Sequence, residues 1–162
     1  LPKGIELGVK LHRAIDAFTD QHPKMAELRA QFPLELRRYS GILIDLSFDH
    51  YLSKHWHNYS TLPLDAFNAT IYRNLESHKH HLGPGARRML LRMQQHDLLS
   101  VYGQWDSIAA TAARIGERFQ RENPFLQVAQ HLDPVRPQLE LSFLNFYPEL
   151  IEFCGLKKHQ WN

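Results

Sequence analysis

The sequence predicts an all-α protein, a single-domain compact helical bundle over residues 1–162. Three observations carry that reading. Apolar residues recur at spacings of three and four along nearly the whole chain. Alternating β-branched runs are absent. Prolines and one Gly-Pro-Gly triplet punctuate the pattern.

Ile5 to Asp20 reads as the first helix. It should stop before His22-Pro23, because a residue preceding proline avoids the α region. Pro23 can occupy the first turn of a second helix, through about Phe32, where its missing N–H costs nothing. Pro33 ends that helix. A long third helix is expected from Leu34 or Ser40 to His57, with Gly41 blurring its start. Pro63 opens a fourth, whose Leu64, Phe67, Ile71 and Leu75 make one apolar face. Gly83 to Gly85 breaks the chain. Ala86 to His96 reads as a helix bearing Arg87, Arg88 and Arg92. A short turn from Leu98 to Tyr102 ends at Gly103, the residue type favoured just past a helix end. Asp106 to Arg121 follows, with Ile108, Ala112, Ile115 and Phe119 in register. Pro124 begins a short helix ending near Leu132. Pro134 or Pro137 opens the last helix, with Leu141, Leu144, Tyr147 and Ile151, and Pro148 is expected to kink or split it. The tail after Leu156 is expected to fray.

Composition narrows the function classes. With 162 residues and 43% hydrophobic content, the chain can bury a proper core. No apolar run reaches the roughly 18 residues that span a bilayer, and the first residues carry no signal-peptide core, so no membrane partner is expected. The single cysteine, Cys154, excludes an intrachain disulfide and a thiolate metal cluster; a cytoplasmic setting is the default. A net charge of +2 does not indicate nucleic acid. Of the eleven histidines, His78, His80 and His81 cluster at what reads as a solvated helix end. Cys154, Phe143, Phe146 and Tyr147 read as core. There is no Gly-rich phosphate loop and no G-x-S-x-G elbow.

Two acidic stripes stand out. LHRAIDAFTDQHP (Leu11 to Pro23) sets His12, Asp16 and Asp20 four apart. IDLSFDHYLSKHW (Ile44 to Trp56) sets Asp45 and Asp49 four apart, with His50 beside the second. Residues four apart share a helix face. Their neighbours are apolar, and carboxylates on an apolar helix need a cation, an arginine or solvent. Arg13, Arg37 and Arg38 are near in sequence and can serve as partners, leaving salt bridges and caps as the plain reading. A divalent metal is the sharper one. Imidazole with several carboxylates suits manganese, magnesium, iron or zinc, and oxygen-rich sites favour the harder ions. Two helices facing each other in a bundle can supply all the ligands, and such a metal would activate water at a phosphoryl group.

The same segments, with MQQHDLLSVYGQWDSIAATAARIGERF and LELSFLNFYPELIEF, resemble the acyl carrier protein phosphodiesterases from about Gly4 to Phe153. L-H-R-x-I-D-x-x-T-D-x-H-P followed by D-x-x-x-D-H carries the resemblance. It implies an all-helical, divergent HD-type metal-dependent phosphohydrolase with manganese as the usual cofactor (magnesium or another divalent ion as the variant). It implies hydrolysis of the phosphodiester that joins 4′-phosphopantetheine to a serine of holo acyl carrier protein. The matching residues are His12, Arg13, Asp16 and Asp20, then Asp45, Asp49 and His50. On this likeness His12, Asp16, Asp45 and Asp49 are candidate metal ligands, and His50, Asp20 and Arg13 candidate catalytic groups. The ordinary HD signature has His before Asp, whereas here Asp49 precedes His50, so the ligand order stays open. Family members begin with a further stretch carrying an AHLHL-like segment and a G-x-x-x-x-D-F-like motif. This chain is expected to start after it and to lack at least one acidic ligand. Holo acyl carrier protein is acidic, so Arg37, Arg38, Arg87, Arg88, Arg92, Arg114, Arg118 and Arg121 are candidate docking residues. The alternatives are an HD-type hydrolase acting on a nucleotide or other small phosphodiester, and a non-catalytic helical binding module.

Overall fold

A computed structural model describes residues 3–119 and 122–161; Arg121 lies outside the described residues. Among them the chain is α-helical with short 3-10 turns and no strand. The first boundaries follow the prolines. Helix α1, Lys3–Gln21, ends two residues before Pro23, and α2 runs Pro23–Gln31 with Pro23 in its first turn. His22 sits between them and caps α2, its Nδ1 accepting from the Lys24 N–H at 3.3 Å. Its Nε2 then carries the proton and donates to Glu149 at 3.0 Å.

The expected third helix is two helices. Helix α3, Leu34–Arg37, is a single turn, and α4 runs Ser40–Lys54. Ser40 Oγ donates to the Arg37 carbonyl at 2.7 Å and holds the joint. A 3-10 turn, Trp56–Asn58, completes the segment. Next come α5 (Leu64–Ser77), α6 (Pro84–His96) and α7 (Leu98–Val101). Between α6 and α7 the left-handed residue is Asp97, at φ 42°; Gly103 stands just past the end of α7, as expected, but without a positive φ. Asp97 is tolerated there because a short polar side chain can visit that region. Its carboxylate also accepts from the Tyr72 hydroxyl at 3.2 Å.

Helix α8 covers Asp106–Gly116, ending sooner than its apolar register suggests. The return of the chain explains the stop. Asn123 Nδ2 donates to the Gly116 carbonyl at 2.9 Å, and the Phe125 ring is fully buried beside it. A Cβ on Gly116 would lie 2.5 Å from Asn123 Oδ1 and 2.7 Å from Phe125 Cβ.

The largest departure is at the C-terminus. Pro124–Gln127 is a 3-10 turn, and it leads into one continuous helix, α9, Val128–Trp161, through Pro134, Pro137 and Pro148. Each proline forfeits the bond to the carbonyl four residues earlier, a cost of roughly 3 kcal/mol in a helix interior. Tertiary packing overrides it: Val128, Leu132, Leu139, Phe143 and Phe146 are all buried. The tail is helical rather than frayed, with the Lys10 ammonium 4.3 Å over the Trp161 ring.

One core joins α2, α4, α8 and α9. Met25, Leu28, Leu43, Ile44, Tyr51, Ile108, Leu139 and Phe143 form its centre. Helix α1 packs on α9 and α2, where Phe18 stacks on Phe153 at 4.4 Å. Helices α5 and α6 form a side layer joined to α7, outside this core, and Phe67 rests on Trp56. The arrangement sets α1, α4 and α9 around a common opening.

The turn after α8 is the tightest place in the fold. Gly116→Ala is expected to cost about 1–3 kcal/mol, the range for an overpacked core position. Urea unfolding should show a lower midpoint at unchanged slope. An unchanged midpoint would mean that the Asn123–Phe125 turn moves aside freely.

Candidate functional site

Helix α4 is enclosed on most sides. Leu43, Ile44, Leu46, Ser47, His50 and Tyr51 are buried, and the one polar stripe left open is that of Asp45 and Asp49. Helix α1 passes beside it and presents Asp16 and Asp20, also four apart. Ile15, Thr19, Phe48 and Leu52 stand between these carboxylates, and Phe143, Phe146, Tyr147 and Leu150 of α9 close the far wall. The result is a cavity of about 530 Å³. Four of the acidic residues singled out in the sequence therefore share one wall-to-wall space.

Their compensation is sparse. Asp16 Oδ2 lies 3.0 Å from His12 Nδ1, on the solvent side. Asp20 accepts from Arg29 Nη2 at 3.2 Å. Arg29, on α2, is the arginine that reaches the site; Arg13, Arg37 and Arg38 make no ion pair with these carboxylates among the described residues. Arg29 lies nine positions after Asp20, across the Pro23 turn, so only the packing of α1 on α2 reveals it.

The carboxylates of Asp45 and Asp49 make no hydrogen bond or ion pair among the described residues; the Asp49 carbonyl accepts from Ser53 Oγ at 3.0 Å. Burial raises the Asp45 carboxyl above its ordinary value, the charges of Asp20 and Asp16 raise it further, and Arg29 opposes them. Burial, then the charge of Asp45, pushes the Asp49 carboxyl up to about 6. Both groups still meet solvent at the mouth of the cavity. Protein crowds the remaining sides, so these charges are only partly screened.

The other three candidates lie outside the cavity lining, His12 among them, exposed on the solvent side of Asp16. Arg13 is exposed on α1, outside the cavity lining. His50 is 4% exposed and turned away from the carboxylates. Its Nδ1 donates to the Tyr102 carbonyl at 2.9 Å in the tautomer that this contact requires, and its ring meets Tyr51 and Trp105 edge-on. Its Nε2 is buried without a partner. Phe143 and Phe146 are core, as expected, yet they also line the carboxylate cavity with Tyr147. Sequence reading assigned these rings to packing alone, because one residue can serve a core with one edge and a cavity with the other.

In charge and donor type, four carboxylates and an imidazole fit a hard divalent cation. In spacing they do not form a ligand shell: among the described residues no three His, Cys, Asp or Glu stand close enough to hold one ion.

Five of the arginines suggested for docking fall into two groups, and Arg38 instead lies over the Tyr39 ring. Arg37 donates to the Phe32 and Ala30 carbonyls, and Arg87 to those of Lys79, His80 and Leu82, so both secure their own turns. Arg92, Arg114 and Arg118 line a second cavity. No described helix is long and apolar enough to cross a membrane.

The raised Asp49 carboxyl has a consequence for stability. Unfolded, it releases its proton near 3.8; folded, at about 6. The folded state thus binds more protons between those values, and this group's contribution to stability falls as pH rises through that window. With a chelator present, Asp49→Asn is expected to remove the fall and to raise stability at pH 7 by about 1 kcal/mol, after discounting for solvent screening. Melting both proteins from pH 4 to 8 checks this. A constant difference between the two across the window would contradict it.

Comparison with known proteins gives a consistent picture. The family model described as acyl carrier protein phosphodiesterase matches residues 1–150. The acyl carrier protein phosphodiesterase of Klebsiella pneumoniae (strain 342) is 30% identical over 162 residues, covering 97% of this chain and 82% of that protein. That of Escherichia coli O45:K1 is 28% identical over 157 residues, covering 96% and 81%. That of Pectobacterium atrosepticum is 28% identical over 155 residues, covering 93% and 78%. No solved structure matches.

Proposed function

The chain belongs to the acyl carrier protein phosphodiesterase family, and on that premise we propose that it hydrolyses the phosphodiester of holo acyl carrier protein, releasing 4′-phosphopantetheine and the apo protein. The observation that carries this reading is the shared cavity of Asp16, Asp20, Asp45 and Asp49. A phosphodiester is an anion. Four carboxylates with a single arginine among them repel it. A divalent cation, manganese first and magnesium next, resolves that conflict, and the upward shifts of Asp45 and Asp49 show how little charge compensation the chain supplies alone.

In this reading His12, Asp16, Asp45 and Asp49 are the residues that would hold the cation, and they would have to draw together to do so, since as they stand no three such groups reach one ion among the described residues. When bound, it supplies Lewis-acid polarisation and a lowered pKa for water. The remaining chemistry belongs to the chain. Water oxygen bonds to phosphorus as the bond from phosphorus to the serine oxygen breaks, and the proton that the water loses is taken up by a carboxylate and passed to the serine oxygen. Asp20 lines the cavity and handles that proton, with Arg29 fixing its carboxylate. Arg13, unpaired among the described residues on the same helix, meets the phosphate from the solvent side. His50 takes a positioning role: through the Tyr102 carbonyl it ties α4 to the end of α7. Phe48, Phe143 and Tyr147 supply an apolar wall for the pantetheine arm. Kinship with the HD phosphohydrolases and a cytoplasmic setting are parts of the same proposal.

Holo acyl carrier protein incubated with the chain and manganese should lose the mass of phosphopantetheine. Asp45→Ala should lower that rate by roughly 100-fold or more, beyond the usual loss for an outer partner of a metal ligand. A second readout is independent of turnover. Manganese should raise the melting temperature of the wild type and leave Asp45→Ala unmoved. Turnover that survives chelation would remove the metal from the mechanism, and turnover of nucleotides alone would favour the small-phosphodiester reading.

A further inference from the structure

A second cavity, of about 350 Å³, opens between α4, α6, α7 and α8. Its volume is in the range of sites that hold small ligands, roughly 300–1,000 Å³. Leu46, Met89, Val101 and Ile115 make its walls apolar. Arg92, Arg114 and Arg118 line it as well. No acidic residue lines it, and none of the three guanidiniums pairs with a carboxylate among the described residues. Arg114 makes one hydrogen bond, from Nη2 to Thr111 Oγ1 at 3.1 Å. Three cations on an apolar recess, with no carboxylate among the described residues paired to them, describe a ligand with the opposite features.

We propose that this cavity binds an anionic amphiphile, a linear acyl chain ending in a carboxylate. The chain lies against Leu46, Met89, Val101 and Ile115, where its burial is driven by removal of apolar surface from water. The carboxylate meets the arginines, whose planar forks match it in two-point hydrogen bonds. A small inorganic anion would leave the apolar wall wet. A neutral chain would leave the guanidiniums unmatched. The site is separate from the carboxylate cavity and does not depend on the hydrolase reading.

Isothermal titration of the full chain with decanoate, below its micelle concentration, tests the proposal without any turnover. One decanoate per chain should bind saturably, with acetate and decan-1-ol each at least tenfold weaker. The triple variant Arg92→Gln, Arg114→Gln, Arg118→Gln changes exposed side chains. It should weaken decanoate at least tenfold and leave decan-1-ol unchanged. Met89→Glu places a negative charge on a half-exposed wall position and should weaken decanoate similarly with every arginine intact. Melting curves establish that both variants are folded. Acetate binding as tightly as decanoate would overturn the proposal in favour of a plain anion patch. So would decanoate binding that neither variant alters, which would place the ligand elsewhere. Absence of decanoate binding, with arginine-dependent binding of an acidic protein, would overturn it in favour of a protein docking surface.

Discussion

The packing of α4 against α9 is the contact on which the rest depends. Helix α4 is buried along nearly its whole circumference, and α9 supplies the longest wall against it. Tyr51 marks the join: it is fully buried, its ring packs near Phe143, and its hydroxyl donates to the Arg136 carbonyl of α9 at 2.9 Å. At the end of α4, Lys54 and His55 both reach Glu140 of α9, at 2.7 and 2.6 Å. At the α1–α2 corner, His22 and Lys24 reach Glu149, at 3.0 and 2.7 Å. These partly exposed pairs add little energy singly. Their value is geometric, because they fix α9 at two points along its length. A helix held in that way can carry three prolines without breaking.

That enclosure also explains where carboxylates can stand on α4. A carboxylate anywhere else on α4 would face apolar neighbours and have to be paired or protonated. Asp45 and Asp49 occupy the strip where α1 stands off enough to leave a cavity. The strip is still crowded, and the crowding makes the charges unfavourable to one another. Arg29 offsets part of the repulsion while leaving Asp45 and Asp49 without a partner.

Much of this could be read from the chain. Pro23 in the first turn of α2 and Pro63 just ahead of α5 marked helix starts, and the four-residue spacing of Asp16 with Asp20 and Asp45 with Asp49 set each pair on one face. What escaped depended on contacts remote in sequence. Pro134, Pro137 and Pro148 are local breakers, and no local rule reports that Leu139, Phe143 and Phe146 anchor the helix around them. Phe119 continues the α8 pattern, yet the chain has already turned, because Asn123 and Phe125 close on Gly116. Arg29 is invisible as a partner of Asp20 until α2 folds back on α1. The division of the arginines, Arg37 and Arg87 into carbonyl caps and Arg92, Arg114 and Arg118 into a cavity, follows from tertiary placement alone.

The modest net charge conceals a separation of charge. The acidic cavity is built by α1, α4 and α9, and the basic one by α4, α6, α7 and α8, so α4 is common to both. At 100° per residue, Leu46 of the basic cavity sits about 60° around α4 from Asp49 of the acidic one. Tyr102 lies between: it lines the basic cavity, its carbonyl holds His50, and its hydroxyl feels Asp49 and Arg114. Burial first, then Asp49, raises that hydroxyl, and Arg114 opposes them. Opposite fields so close together along one rigid helix orient any charged partner that approaches. An anionic group is drawn to the arginine side and a positive one to the carboxylates, and the two cavities stand on different faces of α4, so each field acts on its own side.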